Sequence, residues 1–257
     1  MPSTARLSCS MANFYDHFSG HAELYNRHRP LYPEQLYEWL AGQCERHECA
    51  LDVATGGGQA AIGLADHFER VVGVDASRQQ LSAARAHGRI DYVLANAEAL
   101  PLKSGSVDVV TVAQALHWLD RPEVYEELRR VARIGALVCA WSYQLFQIDP
   151  EVDAVMDRFY RGRLDPYWPP QRAHVRDHYA TLTFPFAEVE TPELAMHPEW
   201  TRDDLLAQVS TWSAVRRHDA ATGTSAAALL EPELTEAWPA DHRKRVVWPL
   251  NFRAGRI

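Results

Sequence analysis

Lysine is nearly absent: the 257 residues hold two, Lys103 and Lys244, so most of the 26 basic side chains are arginine. Neither lysine follows a tyrosine by four positions, which removes the Tyr-x-x-x-Lys pair used by one large class of dehydrogenases. Basic excess is missing as well. With 34 acids the formal charge is −8, and a general nucleic-acid binder, which needs a basic face, is excluded. No apolar run approaches the ~20 residues of a membrane helix, and no basic region leads into an apolar one at the N-terminus, so neither a span nor a secretory leader is expected. The 4 cysteines (Cys9, Cys44, Cys49, Cys139) form no paired framework, which suits a reducing cytoplasm. Cys44-x-x-His47-x-Cys49 has too few ligands and no second cluster for zinc, so no metal is expected. Internal repeats and low-complexity linkers are lacking too. At 47% hydrophobic and 23% charged, the composition supports an ordinary globular core.

What is present centres on Ala50-Leu51-Asp52-Val53-Ala54-Thr55-Gly56-Gly57-Gly58-Gln59-Ala60-Ala61. An apolar run meets an acid, breaks into three glycines and resumes with helical spacing. This is strand, tight turn and helix, with glycine where the backbone takes positive φ and approaches a ligand closely. The helix start offers unpaired N–H groups to something polar. Asp75 ends a second apolar run, Arg70-Val71-Val72-Gly73-Val74-Asp75, where an acid is placed to accept from ribose hydroxyls. Together they indicate a nucleoside-containing cofactor. Gly56-x-Gly58-x-x-Ala61 also satisfies the dinucleotide fingerprint, which keeps an NAD(P)-dependent oxidoreductase open as the alternative. Asp52 argues against it, since an acid before the turn faces an ammonium better than a pyrophosphate.

Further apolar runs at 90–95, 107–112 and 134–141 alternate with helical patterns. The class is α/β, with a doubly wound, mostly parallel sheet. Asp120 and Glu123 have capping-box spacing before a helix with Pro122 in its first turn. Ser77 is expected to cap a helix that stops at Gly88, and Thr201 with Asp204 opens another. Residues 183–190 alternate like a strand, and 245–253 form the closing strand with Pro249 at an edge or bulge. Between 148 and 182, prolines interleave with Phe159, Tyr160, Tyr167, Trp168 and Tyr179, a helical insertion whose aromatics are a substrate wall or packing. Ligands on such a sheet collect at the carboxyl ends of the strands. That gathers Asp52, Gly56, Gly58, Asp75, Ala97, Glu98 and the run Gln114 to Trp118 around one crevice.

Ala97-Glu98-Ala99-Leu100-Pro101, Ala113-Gln114-Ala115-Leu116-His117-Trp118-Leu119-Asp120, the glycine turn and Tyr25-x-x-x-Arg29-Pro30-x-Tyr32-Pro33 together resemble class I S-adenosylmethionine (SAM)-dependent methyltransferases of the type 11, trans-aconitate methyltransferase-like branch. The resemblance covers roughly residues 14–141, with Thr211-Trp212-Ser213 matching the same branch further on. It implies a Rossmann-like seven-stranded sheet in a single domain over 14–257, with an N-terminal helical lid at 14–45 and the 148–182 insertion as substrate cap. It implies SAM as cofactor, held by Asp52, Ala54, Gly56, Gly58, Asp75, Ala76, Ala97, Glu98, Gln114 and Arg29. Tyr25, Tyr32 and Trp118 would then touch a small-molecule acceptor, methylated on a carboxylate or hydroxyl oxygen. Ala54 stands where the family usually has its first loop glycine, tolerable if its φ is negative. His117 is the acid–base candidate, or a cleft histidine that only hydrogen-bonds its surroundings. With a carboxylate acceptor no base is needed, and Arg29 or an insertion arginine such as Arg161 would bind a second anion. A SAM-binding protein without catalysis is the remaining alternative.

Overall fold

The structure, a computed structural model, describes residues 30–239 and 242–257. Tyr25 and Arg29 lie outside the described residues, as does the first half of the expected lid. The apolar runs become β1 Cys49–Val53, β2 Arg70–Asp75, β3 Ile90–Leu94, β4 Val107–Ala113 and β5 Ala132–Ser142. They pair in parallel in the order β3-β2-β1-β4-β5. Beyond β5 the sheet gains a two-residue strand, β6 Ala187–Glu188, through an intervening antiparallel strand at the C-terminus. Two small ladders stand outside it: β7 Ala195–Met196 with β10 Trp248–Pro249, and β8 Glu199–Trp200 with β9 Lys244–Arg245. The closing strand is β11 Asn251–Arg256, which makes the sheet 7-stranded.

Alternation along the strands explains the two faces. Ala50, Val71, Val109 and Leu137 join one apolar cluster, while Leu51, Val72, Val110 and Val138 join the other. Helices α1 Glu34–Gly42 and α2 Gln59–His67 cover the first face. After α3 Arg78–Ser82 and the single turn α4 Leu116–Leu119, helix α5 Pro122–Val131 covers the second with Val124, Tyr125, Leu128 and Val131. Ser77 caps α3 as expected, accepting from Gln80 N–H, but that helix stops at Ser82, well before Gly88.

Three local expectations are corrected. Asp120 does not cap α5: its carboxylate accepts from Tyr125 Oη at 2.8 Å and from Thr183 N–H at 3.3 Å, tying the helix to the returning chain. The 183–190 segment pairs only at Ala187–Glu188, because Phe184 and Phe186 turn inward and stack at 5.1 Å. Pro249, which lacks an N–H, ends a two-residue ladder, and the long strand begins only at Asn251.

The insertion folds as α6 Pro150–Asp157, a π-turn Arg158–Arg163, a 3-10 turn Asp165–Tyr167 and α7 Arg172–Arg176. It shares a layer with α8 Arg202–Ser210, α9 Ser213–Thr222 and α10 Ala226–Ala237. Helix α10 packs on α6 and α8, and α9 on the 3-10 turn. Thr201 and Asp204 form the expected capping box of α8. Among the described residues no helix is long and apolar enough to cross a membrane.

Candidate active site

Strand order reverses between β1 and β4, and the glycine turn leaves β1 there. Such switch points are where ligands bind open α/β sheets. Asp75 ends β2 and its two oxygens shape the turn: Oδ2 accepts from Gly56 N–H at 2.8 Å, Oδ1 from Ser77 N–H at 2.7 Å. The neighbouring Ala76 is half-buried. Asp52 lies beneath, fully buried, and pairs across the sheet with Thr111. Thr55 Oγ1 donates to its Oδ2 at 2.6 Å and Thr111 Oγ1 to its Oδ1 at 2.8 Å. Burial pushes this acid up to about 6; the two hydroxyls oppose that rise, and the Asp75 charge adds to it.

Ala54 has φ 55°, so the condition under which an alanine would fit without strain, a negative φ, is not met. The chain reverses at the strand end whatever the residue, and the Cβ is carried in the left-handed region at a cost of roughly 1–2 kcal/mol. The two loop glycines differ in kind. A Cβ on Gly56, at φ 56°, would make only an ordinary contact, with Gln80 Oε1 at 3.7 Å. A Cβ on Gly58, at φ 78°, would lie 2.0 Å from Tyr92 Oη. Ligand approach therefore does not explain Gly58; the Tyr92 ring packed against it does.

Ala97 is buried in the second apolar cluster, and half-buried Glu98 is ion-paired with Arg121. Gln114, at φ 56°, clamps the ends of β4 and β5: its Nε2 donates to Tyr143 O and its Oε1 accepts from Tyr143 N–H, both at 2.9 Å. Tyr32 packs edge-on to Trp141 with centroids 5.2 Å apart, inside the core.

On the far side of Gln114 a cavity opens, walled by His117, Trp118, Tyr143, Tyr160, Trp168, Trp212 and Trp248. Trp118 and His117 thus meet in one place, as expected. The insertion aromatics divide: Tyr160 and Trp168 face the cavity, whereas Phe159 and Tyr179 are buried. Arg161, the suggested anion ligand, is exposed and paired with Asp157. The arginine at the cavity is Arg172, stacked 5.0 Å from the Trp168 centroid and bonded to Tyr160 Oη through Nη2 at 2.8 Å. Gln208, fully buried on α8, also lines it, and neither of its side-chain polar atoms has a partner among the described residues.

His117 has its Nδ1 3.2 Å from Tyr179 Oη, on a turn where His178 and Tyr179 take φ 53° and 63°. Arg253 holds that turn through the carbonyls of Tyr179 and Leu182. Burial, with Arg172 and His174 adding to it, lowers His117 to about 3, while burial raises Tyr179. His117 is thus a neutral imidazole beside a protonated phenol.

Sequence reasoning missed Thr111, Tyr92, Arg172 and Gln208, and left Tyr179 between substrate wall and packing. Two carried a signal: Thr111 is polar among the valines of β4, and Gln208 falls on the stripe of Leu205, Val209 and Trp212. Arg172 opens the short helix α7 and Tyr179 lies on the turn after it, where no periodicity marks either.

A sheet reversing at β1, a turn whose backbone is held by the acid on β2, and a walled cavity beyond β4 are the parts of an enzyme that uses a nucleoside-containing cofactor. Residues 51–140 match the family model described as a methyltransferase domain. A methyltransferase of Dictyostelium discoideum is 33% identical over 78% of this chain and 78% of its own length. A mycobacterial methyltransferase, from Mycobacterium bovis, is 35% identical over 53% of this chain and 56% of its own. The solved structure of a protein named as a type II methyltransferase, from Anaeromyxobacter dehalogenans, is 46% identical with a TM-score of 0.83, covering 89% of this chain and 97% of that one. The chain belongs to the class I SAM-dependent methyltransferases. That assignment decides between the two cofactors the glycine turn left open, and favours the enzyme over the protein that only binds.

The residues present fit SAM. At Gly56 the backbone approaches with only Gln80 Oε1 near where a Cβ would stand, and the Asp75 carboxylate at the end of β2 shapes the rim through the Gly56 and Ser77 N–H groups. The cofactor, when bound, supplies an electrophilic methyl group on a sulfonium.

Proposed function

We propose that this protein methylates an oxygen, carboxylate or hydroxyl, of a small organic acceptor held in the cavity beyond Gln114. The observation that carries the proposal is the shared wall. Gln114 ends β4 at the switch point and also lines the cavity containing His117 and Trp118, so crevice and cavity meet at one residue. In this reading Asp75 and Ala76 take the ribose, Ala97 and Glu98 border the adenine, and Gln114 lies under the methionine portion. Gly56 lets the backbone approach. Asp52, with both oxygens engaged, acts from below by holding Thr55 and the turn, while Ala54 and Gly58 set its path. Residues 14–257 form one methyltransferase domain, with 14–45 as lid, Tyr25, Arg29 and Tyr32 included, and 148–182 as cap.

The cap reading is supported by Tyr160, Trp168 and Arg172 facing the cavity. Excluding water strengthens the electrostatic interactions inside a closed site. The test is transfer of labelled methyl from SAM to a panel of acids, alcohols, phenols and amines, with products identified by mass spectrometry. Methyl esters or ethers support oxygen as the acceptor atom. Methylation confined to nitrogen or carbon would overturn it.

A further inference from the structure

The cavity has one charged side chain and no acid. Among the described residues lining it, Arg172 is the only cation, and aspartate and glutamate are absent. No described carboxylate pairs with Arg172; its guanidinium rests on Trp168 and on the Tyr160 hydroxyl. Gln208 makes the second independent observation. A fully buried amide with both polar atoms unpaired costs folding free energy unless something occupies them, and this one lines the same space.

The third is the orientation of His117. Its Nδ1 lies 3.2 Å from the hydroxyl of the fully buried Tyr179, and the ring itself lines the cavity. With the phenol donating to Nδ1, the imidazole proton sits on Nε2 and His117 presents a donor to the site. Six aromatic rings, Trp118, Tyr143, Tyr160, Trp168, Trp212 and Trp248, dominate the rest of the wall, with the neutral Gln114, Gln144, Thr211 and Ser213 among them.

We propose that the acceptor is a monocarboxylic acid with a flat or apolar body, its carboxylate held by Arg172 and Gln208, and that His117 is a neutral hydrogen-bond donor rather than a base. The proposal rests on the methyl-transfer reading above. A carboxylate oxygen attacks the sulfonium methyl, a C–O bond forms, and the C–S bond breaks with its electron pair remaining on sulfur. The products are a methyl ester and S-adenosylhomocysteine. No proton moves, so a site without a base suffices. A second or third carboxylate on the acceptor would meet aromatic rings and neutral polar groups but no further cation, which sets polycarboxylates such as trans-aconitate at a disadvantage.

The test is calorimetric, on the whole protein saturated with S-adenosylhomocysteine and titrated with trans-cinnamate, octanoate, cinnamyl alcohol and trans-aconitate. One of the two monoacids should bind at least roughly tenfold more tightly than the alcohol and the tricarboxylate. Arg172→Gln and Gln208→Leu should each weaken that monoacid by roughly tenfold or more, with S-adenosylhomocysteine affinity unchanged. Gln208→Glu, nearly isosteric, should abolish monoacid binding through like charge while sparing the alcohol. Preference for the alcohol or for aconitate, or no acid binding while S-adenosylhomocysteine binds normally, would overturn the proposal. Failure of the wild-type protein to bind S-adenosylhomocysteine would instead remove the methyl-transfer reading beneath it.

Discussion

The turn proposed to hold the cofactor and the cavity proposed to hold the acceptor are built from different materials. The crevice is made of backbone: a turn carrying Ala54, Gly56 and Gly58 at positive φ, fastened by two acids, Asp52 and Asp75, within a short span of chain. The cavity is made of side chains from the segment after β4 including α4, the residues just after β5, the insertion, α8, the start of α9 and β10, and none of its described lining is acidic. In the proposed reading the contrast follows from what each half would handle. A sulfonium, an ammonium and ribose hydroxyls suit acids and a shaped backbone. An anionic acceptor suits a cation, unpaired donors and the exclusion of acids.

The largest expected effect on this contrast comes from the turn. Gly58→Ala should destabilise the protein by about 3 kcal/mol, combining the left-handed φ with overpacking against Tyr92. Adding Tyr92→Ala should recover part of the loss in urea unfolding; no recovery would mean the collision is not the cause. Next is Asp75→Ala, which should weaken S-adenosylhomocysteine by about 2–3 kcal/mol, the range for charge-assisted bonds. It should also lower the melting temperature, since the Gly56 and Ser77 N–H groups lose their acceptor. Unchanged affinity would move the ribose elsewhere.

How legible each half was in the sequence follows the same division. The crevice is local: a strand, three glycines and an acid after a second strand are contiguous signals, so Asp52, Gly56, Gly58 and Asp75 stand out in the chain. The sheet was legible for the same reason, through apolar runs that alternate with helices. Reasons were harder to read than positions: Gly58 answers to a tyrosine on β3, and Ala54 keeps its place despite φ 55°. The cavity draws on residues from Gln114 to Trp248, and only tertiary packing brings Arg172, Gln208 and Tyr179 together. No period of 2 or 3.6 marks such residues.

Two buried groups sharpen the comparison through pH. Asp52, near 6 when folded and near 4 unfolded, holds its proton more tightly in the native state. Its stabilisation is full below the unfolded value and is lost as pH rises through about 6. His117, near 3 when folded, works in reverse: its contribution is present above about 6.5 and is lost as pH falls towards 3. The slopes oppose each other across mildly acidic pH. Asp52→Asn should leave the His117 slope alone, so the variant gains stability relative to wild type, on the order of 2 kcal/mol, as pH rises from about 4 to 6.5. Parallel curves in urea unfolding would refute the assignment. The smallest effect is Ala54→Gly, which relieves a left-handed alanine and should stabilise by about 0.5–1 kcal/mol, read as a rise in the urea midpoint. A lower midpoint would show that the alanine carries no strain there.

The chemical claim, that the acceptor half works without a base, is tested most directly by kcat against pH at saturating SAM and saturating monocarboxylic acceptor. The account predicts a flat profile between about pH 6.5 and 9, with His117→Gln flat as well and within a few-fold of wild type, because a glutamine amide still donates. A profile that rises through a pKa near neutrality in the wild-type protein, and loses that rise in His117→Gln, would make His117 a base and contradict the account.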